Sequence, residues 1–166
     1  MADLFTKGTA KFDSTEQYRY ALTREWETGL GRTVFILLNP STATAEENDP
    51  TVRRCIGFAM EWGHRSLEVV NAFALRSTEP KKLYGHSDPV GPENDRYILE
   101  AARRGDIVVA AWGTHGGLRN RDRDVMELLK GIKVYCLKVT KFGFPQHPLY
   151  LAGRSKLIPY TKRPAA

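Results

Sequence analysis

A continuous apolar run, Val34-Phe35-Ile36-Leu37-Leu38, constrains the fold more than any other feature of this 166-residue chain. A strand buried on both faces of a parallel sheet has this length and this uninterrupted apolar character. The run ends at Asn39-Pro40. Because ligands of open α/β sheets bind beyond the carboxyl ends of the strands, Asn39 is predicted to lie at the edge of a cleft.

Strands and helices alternate over residues 34 to 139, which predicts right-handed βαβ units. The clearest helix begins at Asp49-Pro50, an N-cap residue followed by proline, and ends near Gly63. Its apolar stripe has helical spacing and consists of Val52, Cys55, Ile56, Ala59 and Met60. Strands are also predicted at 67–73, 106–112 and 132–139, and helices at 93–103 and 121–130. The fold class is therefore α/β, three layers (α/β/α) around a central, mostly parallel four-stranded sheet.

The first thirty residues alternate polar and apolar side chains, which is typical of short antiparallel strands. One side is predicted to carry Tyr18, Tyr20 and Leu22 and the other Arg19, Ala21 and Thr23, with residues 10–12 as the pairing partner. A chain of this length predicts one domain, residues 1–166. Within it, residues 1–31 form an N-terminal strand extension and residues 32–160 the α/β core.

Composition excludes several classes of protein. Hydrophobic residues make up 42% and charged residues 27% of the chain, as in globular proteins and unlike disordered or collagen-like ones. No apolar run approaches the ~20 residues of a spanning helix, and the N-terminus lacks a signal-peptide pattern, so a soluble cytoplasmic protein without membrane contact is expected. Cys55 and Cys136 have no CxxC or His-Cys neighbour, which indicates reduced buried thiols and no metal site.

The formal charge of +6 suggests a polyanionic partner. Basic residues follow a glycine-rich turn at 113–117 and precede the last polar segment: Arg119, Arg121, Arg123, Lys138 and Lys141. They are interpreted either as contacts to DNA phosphates or as ordinary solvated cations. The backbone amides of this turn could bind phosphate. The turn has neither the GxxxxGK[ST] nor the GxGxxG spacing, so no nucleotide cofactor is expected.

Polar segments follow the predicted strands and should meet at one rim of the sheet. They are Asn39-Pro40-Ser41-Thr42, Asn71-Ala72-Phe73, Trp112-Gly113-Thr114-His115-Gly116-Gly117 and Gln146-His147-Pro148-Leu149-Tyr150. Asn39 either caps the following turn or holds a water or a base edge, since an amide cannot accept a proton at neutral pH. His147 lies between Pro145 and Pro148 and is the candidate hydrogen-bond donor, with a structural role as the alternative.

Motifs along almost the whole chain resemble a bacterial and phage family catalogued as a domain of unknown function (DUF1643). They include Tyr18-Arg19-Tyr20, the run Leu-Leu-Asn-Pro-Ser-Thr-Ala at 37–43, Asn48-Asp49-Pro50-Thr51, Val70 to Arg76, Gly91 to Asp95, Ala111-Trp112-Gly113 and His147 to Leu151. That family name implies no activity.

A second resemblance, over about residues 34–150, is to the uracil-DNA glycosylase superfamily, especially its mismatch-specific branch. It implies that Asn39 positions the attacking water and that His147 contacts the base. It also implies that Asn71 reads the base edge and that Leu149 or Tyr150 enters the duplex. Leu149 replaces the usual Ser, and the Asp general base and stacking aromatic of uracil enzymes do not follow Asn39, so a modified base replaces uracil as the expected substrate.

The predicted function is a metal-independent DNA glycosylase that flips a modified or mismatched base out of DNA and leaves an abasic site, with defence against phages as one role. Asn39 and His147 are the predicted catalytic residues. The predicted substrate-binding residues are Pro40, Ser41, Asp49, Asn71, Phe73, Trp112, Gly113, Leu149 and Tyr150, and the predicted phosphate contacts are Arg119, Arg121, Lys138 and Lys141. The partner is DNA, duplex in the first instance, with no obligate protein partner. A non-catalytic reader of nucleic acid and an enzyme of free nucleotides or nucleosides remain as alternatives.

Overall fold

A computed structural model describes residues 5–153 and 155–164 of the chain. These residues form a mixed α/β fold with one seven-stranded sheet. The strands are β1 (Lys7–Phe12), β2 (Arg19–Glu25), β3 (Arg32–Leu37), β4 (Ser66–Asn71), β5 (Ile107–Ala110), β6 (Tyr135–Cys136) and β7 (Ile158–Pro159). The α-helices are α1 (Pro50–Glu61), α2 (Lys81–Gly85), α3 (Asn94–Arg104) and α4 (Arg121–Leu128), with 3-10 helices at Thr114–Asn120 and Pro148–Tyr150.

The sheet order is β1-β2-β4-β3-β5-β6-β7. Its four central strands are parallel, because β3 pairs in parallel with β4 and β5, and β5 with β6. Antiparallel pairs of β1 with β2, β2 with β4 and β6 with β7 extend it. The predicted N-terminal strands are therefore confirmed, and they lengthen the same sheet. The parallel strands bring the ends of β3, β4 and β5 to one edge.

Strand β3 is buried on both faces, as its unbroken apolar run predicts. Val34 and Ile36 pack in one core cluster with Ile98 of α3 and residues of α4. Phe35 packs in a second cluster with Ile56 and other apolar residues of α1. Full burial of one such side chain contributes about 1.5–3 kcal/mol, so this strand is a rigid base for whatever follows it.

Helix α1 begins and ends as its sequence predicts. The Asp49 carboxylate accepts a hydrogen bond from the Val52 N–H at 2.8 Å, and Pro50 occupies the first turn. Gly63 then adopts φ +79°, a left-handed conformation that favours glycine after a helix end. The N-terminus of α1, with Pro50 and Thr51, lies at the same sheet edge as Asn39.

Other predicted elements differ from the observed ones. The strand predicted at 132–139 is reduced to Tyr135–Cys136, because the chain leaves the ladder there and folds into a hairpin closed by the Val139 and Pro145 bridge. The sheet has seven strands where four were predicted, and α2 and β7 were not predicted. No described helix is both long and apolar enough to cross a bilayer.

The predicted alternation of the two faces of β2 is wrong for its arginines, because both are buried. Arg19 and Arg24 are 1% and 0% exposed, and Tyr20 and Leu22 belong to different core clusters. The guanidinium of Arg24 donates to the Asn48 side chain and to the carbonyl oxygens of residues 23, 44 and 47. Strand β2 therefore anchors the segment between β3 and α1.

Candidate functional site

A cavity of about 670 Å³ opens beyond the carboxyl ends of β3 and β5. Its lining combines the segment after β3, the N-terminus of α1, the turn after β5 and the segment that carries His147. It includes eight of the predicted site residues: Asn39, Ser41, Asp49, Trp112, Gly113, His147, Leu149 and Tyr150. Three of the four predicted polar segments therefore meet at one place.

The side chain of Asn39 is oriented by carbonyl groups. Its Nδ2 donates to the carbonyl oxygens of Ser77 at 3.0 Å, Pro40 at 3.1 Å and Leu75 at 3.3 Å. Only the amide nitrogen can donate to these carbonyl oxygens, so Oδ1 is the atom that points away from them. No described residue donates to that oxygen. Asn39 thus holds the 75–77 segment through its nitrogen and leaves one acceptor without a protein donor among the described residues.

His147 presents the complementary group. Its Nδ1 accepts a hydrogen bond from the Leu149 N–H at 3.3 Å, where it caps the 3-10 helix Pro148–Tyr150. A neutral imidazole with this acceptor carries its proton on Nε2. Burial lowers the pKa of His147 below the ordinary 6.5, while the negative charge of Asp49 acts in the opposite direction. At neutral pH the ring is therefore an uncharged donor.

We expect NMR titration of the His147 ring to give a pKa below 6.5, and a still lower pKa in Asp49→Asn, which removes the charge that favours protonation. The unfolded chain then takes up this proton more readily than the folded protein. The corresponding stabilisation is present above pH 6.5 and is lost as the pH falls to the folded pKa. A His147 pKa above 6.5 would contradict this description of the site.

Asp49 is a buried carboxylate, 7% exposed, in the cavity wall. Oδ1 accepts the Val52 N–H at 2.8 Å, and Oδ2 accepts the Ala43 N–H at 3.4 Å. Arg19, which the sequence did not indicate as a site residue, donates from Nη1 to the Ala43 carbonyl at 3.0 Å. Burial lowers the pKa of Arg19 to about 10, and the charge of Asp49 opposes that shift. The two buried charges therefore interact behind the cavity.

The glycine-rich turn after β5 is a packing feature. Gly113 has φ +71° and donates to the Pro145 carbonyl at 2.8 Å, and the Gly116 N–H donates to the Gly113 carbonyl at 3.2 Å. A Cβ on Gly116 would lie 2.1 Å from Trp112 Cδ1, so the indole requires glycine there. Trp112 also packs edge-on against Tyr160, with ring centroids 6.1 Å apart. The Gly113 N–H thus joins the turn to the segment that carries His147, and the Gly116 N–H closes the turn itself, so both of these amides are already hydrogen-bonded within the protein.

Three predicted substrate-binding residues lie outside the cavity lining. Asn71 and Phe73 are fully buried, and within the described residues the Asn71 amide has no hydrogen-bond partner. Pro40 is buried, and its carbonyl accepts the Ser77 N–H at 2.9 Å. After β4 the chain continues to pair with the end of β3, because the Ala72 and Phe73 N–H groups donate to the carbonyl oxygens of Leu37 and Leu38. Asn71 and Phe73 are therefore enclosed in the sheet and do not line the cavity.

The four predicted phosphate contacts divide into two groups. Arg121 is 5% exposed and donates to the Ala72 carbonyl at 2.8 Å and to Asp95 at 2.6 Å, so its buried guanidinium is not available to a phosphate. Arg119 is exposed but donates to the His86 carbonyl at 2.8 Å. Lys138 and Lys141 are exposed on the hairpin whose Thr140 lines the cavity.

Sequence reasoning missed Ser77, Thr78 and Pro80, which also line the cavity. Ser77-Thr78-Glu79-Pro80 is a turn-forming cluster after a strand, which was the available signal. His115 Nδ1 and the Tyr84 hydroxyl are hydrogen-bonded at 3.0 Å. In the part of the chain that the structure describes, no three His, Cys, Asp or Glu side chains are grouped as metal ligands.

The family profile described as "Protein of unknown function (DUF1643)" matches residues 19–149, which is most of the chain. The chain belongs to the DUF1643 family. The matched span of this DUF1643 protein contains Asn39, Asp49 and His147 together with the strands that position them. No curated protein and no solved structure matches the chain.

Proposed function

We propose that this DUF1643 protein is a DNA glycosylase that hydrolyses the N-glycosidic bond of a flipped, modified or mismatched base. One observation carries the proposal: Asn39 and His147 line the same cavity, with one free acceptor on Asn39 and one donor nitrogen on neutral His147. The four parallel strands and the helices on both faces of the sheet fit the three-layer arrangement of the uracil-DNA glycosylase superfamily, which supports the proposal by analogy.

The chemistry of the reaction requires these two groups. Breaking the bond develops positive charge on the sugar and negative charge on the leaving base. Asn39 Oδ1 accepts a hydrogen bond from the attacking water and holds it toward the sugar. His147 Nε2–H donates to the base as its negative charge develops. A neutral imidazole can fill this role, because its Nε2–H is a donor and burial favours the uncharged ring.

The rim of the cavity supports a nucleic-acid partner. Two large apolar side chains of the lining, Tyr150 and Leu149, are 77% and 42% exposed. Tyr84, 50% exposed, is hydrogen-bonded to His115 of the lining. Aromatic faces stack on unpaired bases, and an apolar wedge fills the gap that a flipped base leaves. Exposed Lys138 and Lys141 on the same rim supply charge for a phosphate backbone.

The proposal is tested by incubating the protein with duplex and single-stranded DNA that contains canonical, uracil, mismatched or hypermodified phage bases. We expect a free base, detected by mass spectrometry, and alkali-labile abasic sites from at least one modified or mismatched substrate. Asn39→Ala and His147→Ala should fold and lose both products. DNA binding with no released base from any substrate would indicate a reader, and turnover of mononucleotides without DNA affinity would indicate an enzyme of free nucleotides.

A separate prediction concerns DNA binding by Lys138 and Lys141, the exposed lysines of the hairpin. We expect Lys138→Ala and Lys141→Ala each to weaken binding of all DNA sequences alike and to reduce the slope of log K against log salt by about 1, as loss of one phosphate contact does. Fluorescence anisotropy across a salt series measures both quantities. Lys11→Ala, an exposed lysine on β1 at the other side of the sheet, is the matched control and should leave the slope unchanged.

A further inference from the structure

Asp49 carries a charge that its capping of α1 does not require. Capping of α1 needs a side-chain oxygen that accepts the Val52 N–H, and Ser, Thr or Asn supplies one without charge. A carboxylate that is only 7% exposed incurs a desolvation cost unless a partner or a function compensates for it. Its second oxygen has a single long contact, 3.4 Å to the Ala43 N–H. Acceptor sites therefore remain on a buried anion in the cavity wall.

Asp49 lies in the same cavity lining as the two residues that the proposed reaction uses. Among the described residues that line the cavity, it is the sole carboxylate, and it shares that lining with Asn39 and His147. Ala43 joins it to the buried guanidinium of Arg19, because the Ala43 N–H donates to Asp49 and the Ala43 carbonyl accepts from Arg19. The guanidinium of Arg19, which is 1% exposed, therefore lies behind the carboxylate as a buried positive charge.

Without Asp49, the proposed hydrolysis has no group that can accept a proton from the attacking water. An asparagine amide cannot take up a proton, so Asn39 can only orient the water. His147 has its Nδ1 acceptor occupied by the Leu149 N–H and acts as a donor through Nε2. An anion is still needed near the sugar, where positive charge develops.

Resting on the proposed glycosylase function, we propose that Asp49 is a catalytic residue of this cavity, the carboxylate that stabilises the cationic sugar and accepts the proton of the attacking water. The water oxygen bonds to C1′ as the C1′–N bond breaks, and the electron pair of the C1′–N bond leaves with the base. The proton released by the water passes to Asp49 and then to solvent. The base anion takes a proton from solvent, which balances the hydrolysis.

The test compares the wild type with Asp49→Asn, which keeps an oxygen to cap α1 and removes only the charge. We expect the single-turnover rate of base release to fall at least 100-fold. DNA affinity should be equal or higher, because a negative charge near a polyanion is lost. Asp106→Asn is the matched control: Asp106 accepts the Arg32 N–H at 2.8 Å at the opposite end of the sheet and should keep the wild-type rate.

Each outcome decides the proposal. An Asp49→Asn protein that releases base within threefold of the wild-type rate overturns the role of Asp49 and leaves the glycosylase function standing. A rate loss accompanied by a tenfold weaker DNA affinity indicates a structural role and also overturns it. A wild-type protein that releases no base overturns both. If Asp49→Asn does not fold, Asp49→Ser, which retains an N-cap hydroxyl, is assayed with the same criteria.

Discussion

Asn39→Ala should lower the single-turnover rate of base release by at least 100-fold, the order of magnitude that one pre-oriented group contributes in an active site. The substitution removes the Oδ1 acceptor that faces the cavity. It also removes the three donations from Nδ2 to the carbonyl oxygens of residues 40, 75 and 77. Rates are measured at saturating enzyme on the preferred substrate. Gln17→Ala, an exposed amide bonded to His86, is the control and should keep the wild-type rate.

Asn39→Asp separates the two functions of this side chain. A carboxylate has acceptors only, so it would face the carbonyl oxygens of Leu75 and Ser77 without a donor. We therefore expect Asn39→Asp to fail to restore the rate and to lower the free energy of unfolding by about 1–3 kcal/mol. An Asn39→Asp protein with wild-type activity and stability would contradict the orientation of the Asn39 amide.

The largest loss of stability is expected from Arg24→Met, which should lower the free energy of unfolding by about 3 kcal/mol. The guanidinium donates to Asn48 Oδ1 at 2.7 Å, to the Glu47 carbonyl at 3.1 Å and to the carbonyl oxygens of residues 23 and 44. Methionine fills much of the space of the stem but leaves these acceptors unpaired in a site that is 0% exposed. The segment from Ser41 to Asp49 then loses its anchor on β2.

Urea denaturation measures this change, and the melting temperature should fall by roughly 6 to 12 °C. Arg103→Met, at an exposed position near the end of α3, is the matched control and should change stability by less than about 0.5 kcal/mol. Because the anchored segment carries cavity residues, Arg24→Met should also reduce base release. A variant as stable as the wild type would show that the buried hydrogen bonds of Arg24 contribute little net free energy.

Local chemistry explains why some elements could be predicted from the sequence. Asp49-Pro50 and the stripe that includes Val52 and Ile56 produce a capped amphipathic helix in any context that buries one face. The apolar run that begins at Val34 similarly requires cover on both faces. The two-residue β6 could not be predicted, because the length of a strand depends on where its neighbours stop pairing. Its pairing with β5 consists of Val109 with Tyr135 alone among the described residues.

The candidate site shows the same division. The sequence placed Asn39 and His147 at a common rim, because parallel strands end at the same sheet edge. It could not show that Asn71, which pairs with Leu37, is fully buried, or that Arg121 is buried against the Ala72 carbonyl. Both outcomes depend on long-range contacts between segments that no local pattern links.

The sequence by itself therefore determined the parallel core, the helix that begins after Asp49 and the family, since each follows from periodicity, capping chemistry or contiguous motifs. Only the tertiary structure decided which polar residues face the cavity. The reason is physical: whether a buried polar group is a structural partner or a free one depends on the donors and acceptors that the fold brings to it. For Asn39 these are the carbonyl groups that occupy its nitrogen and leave its oxygen open.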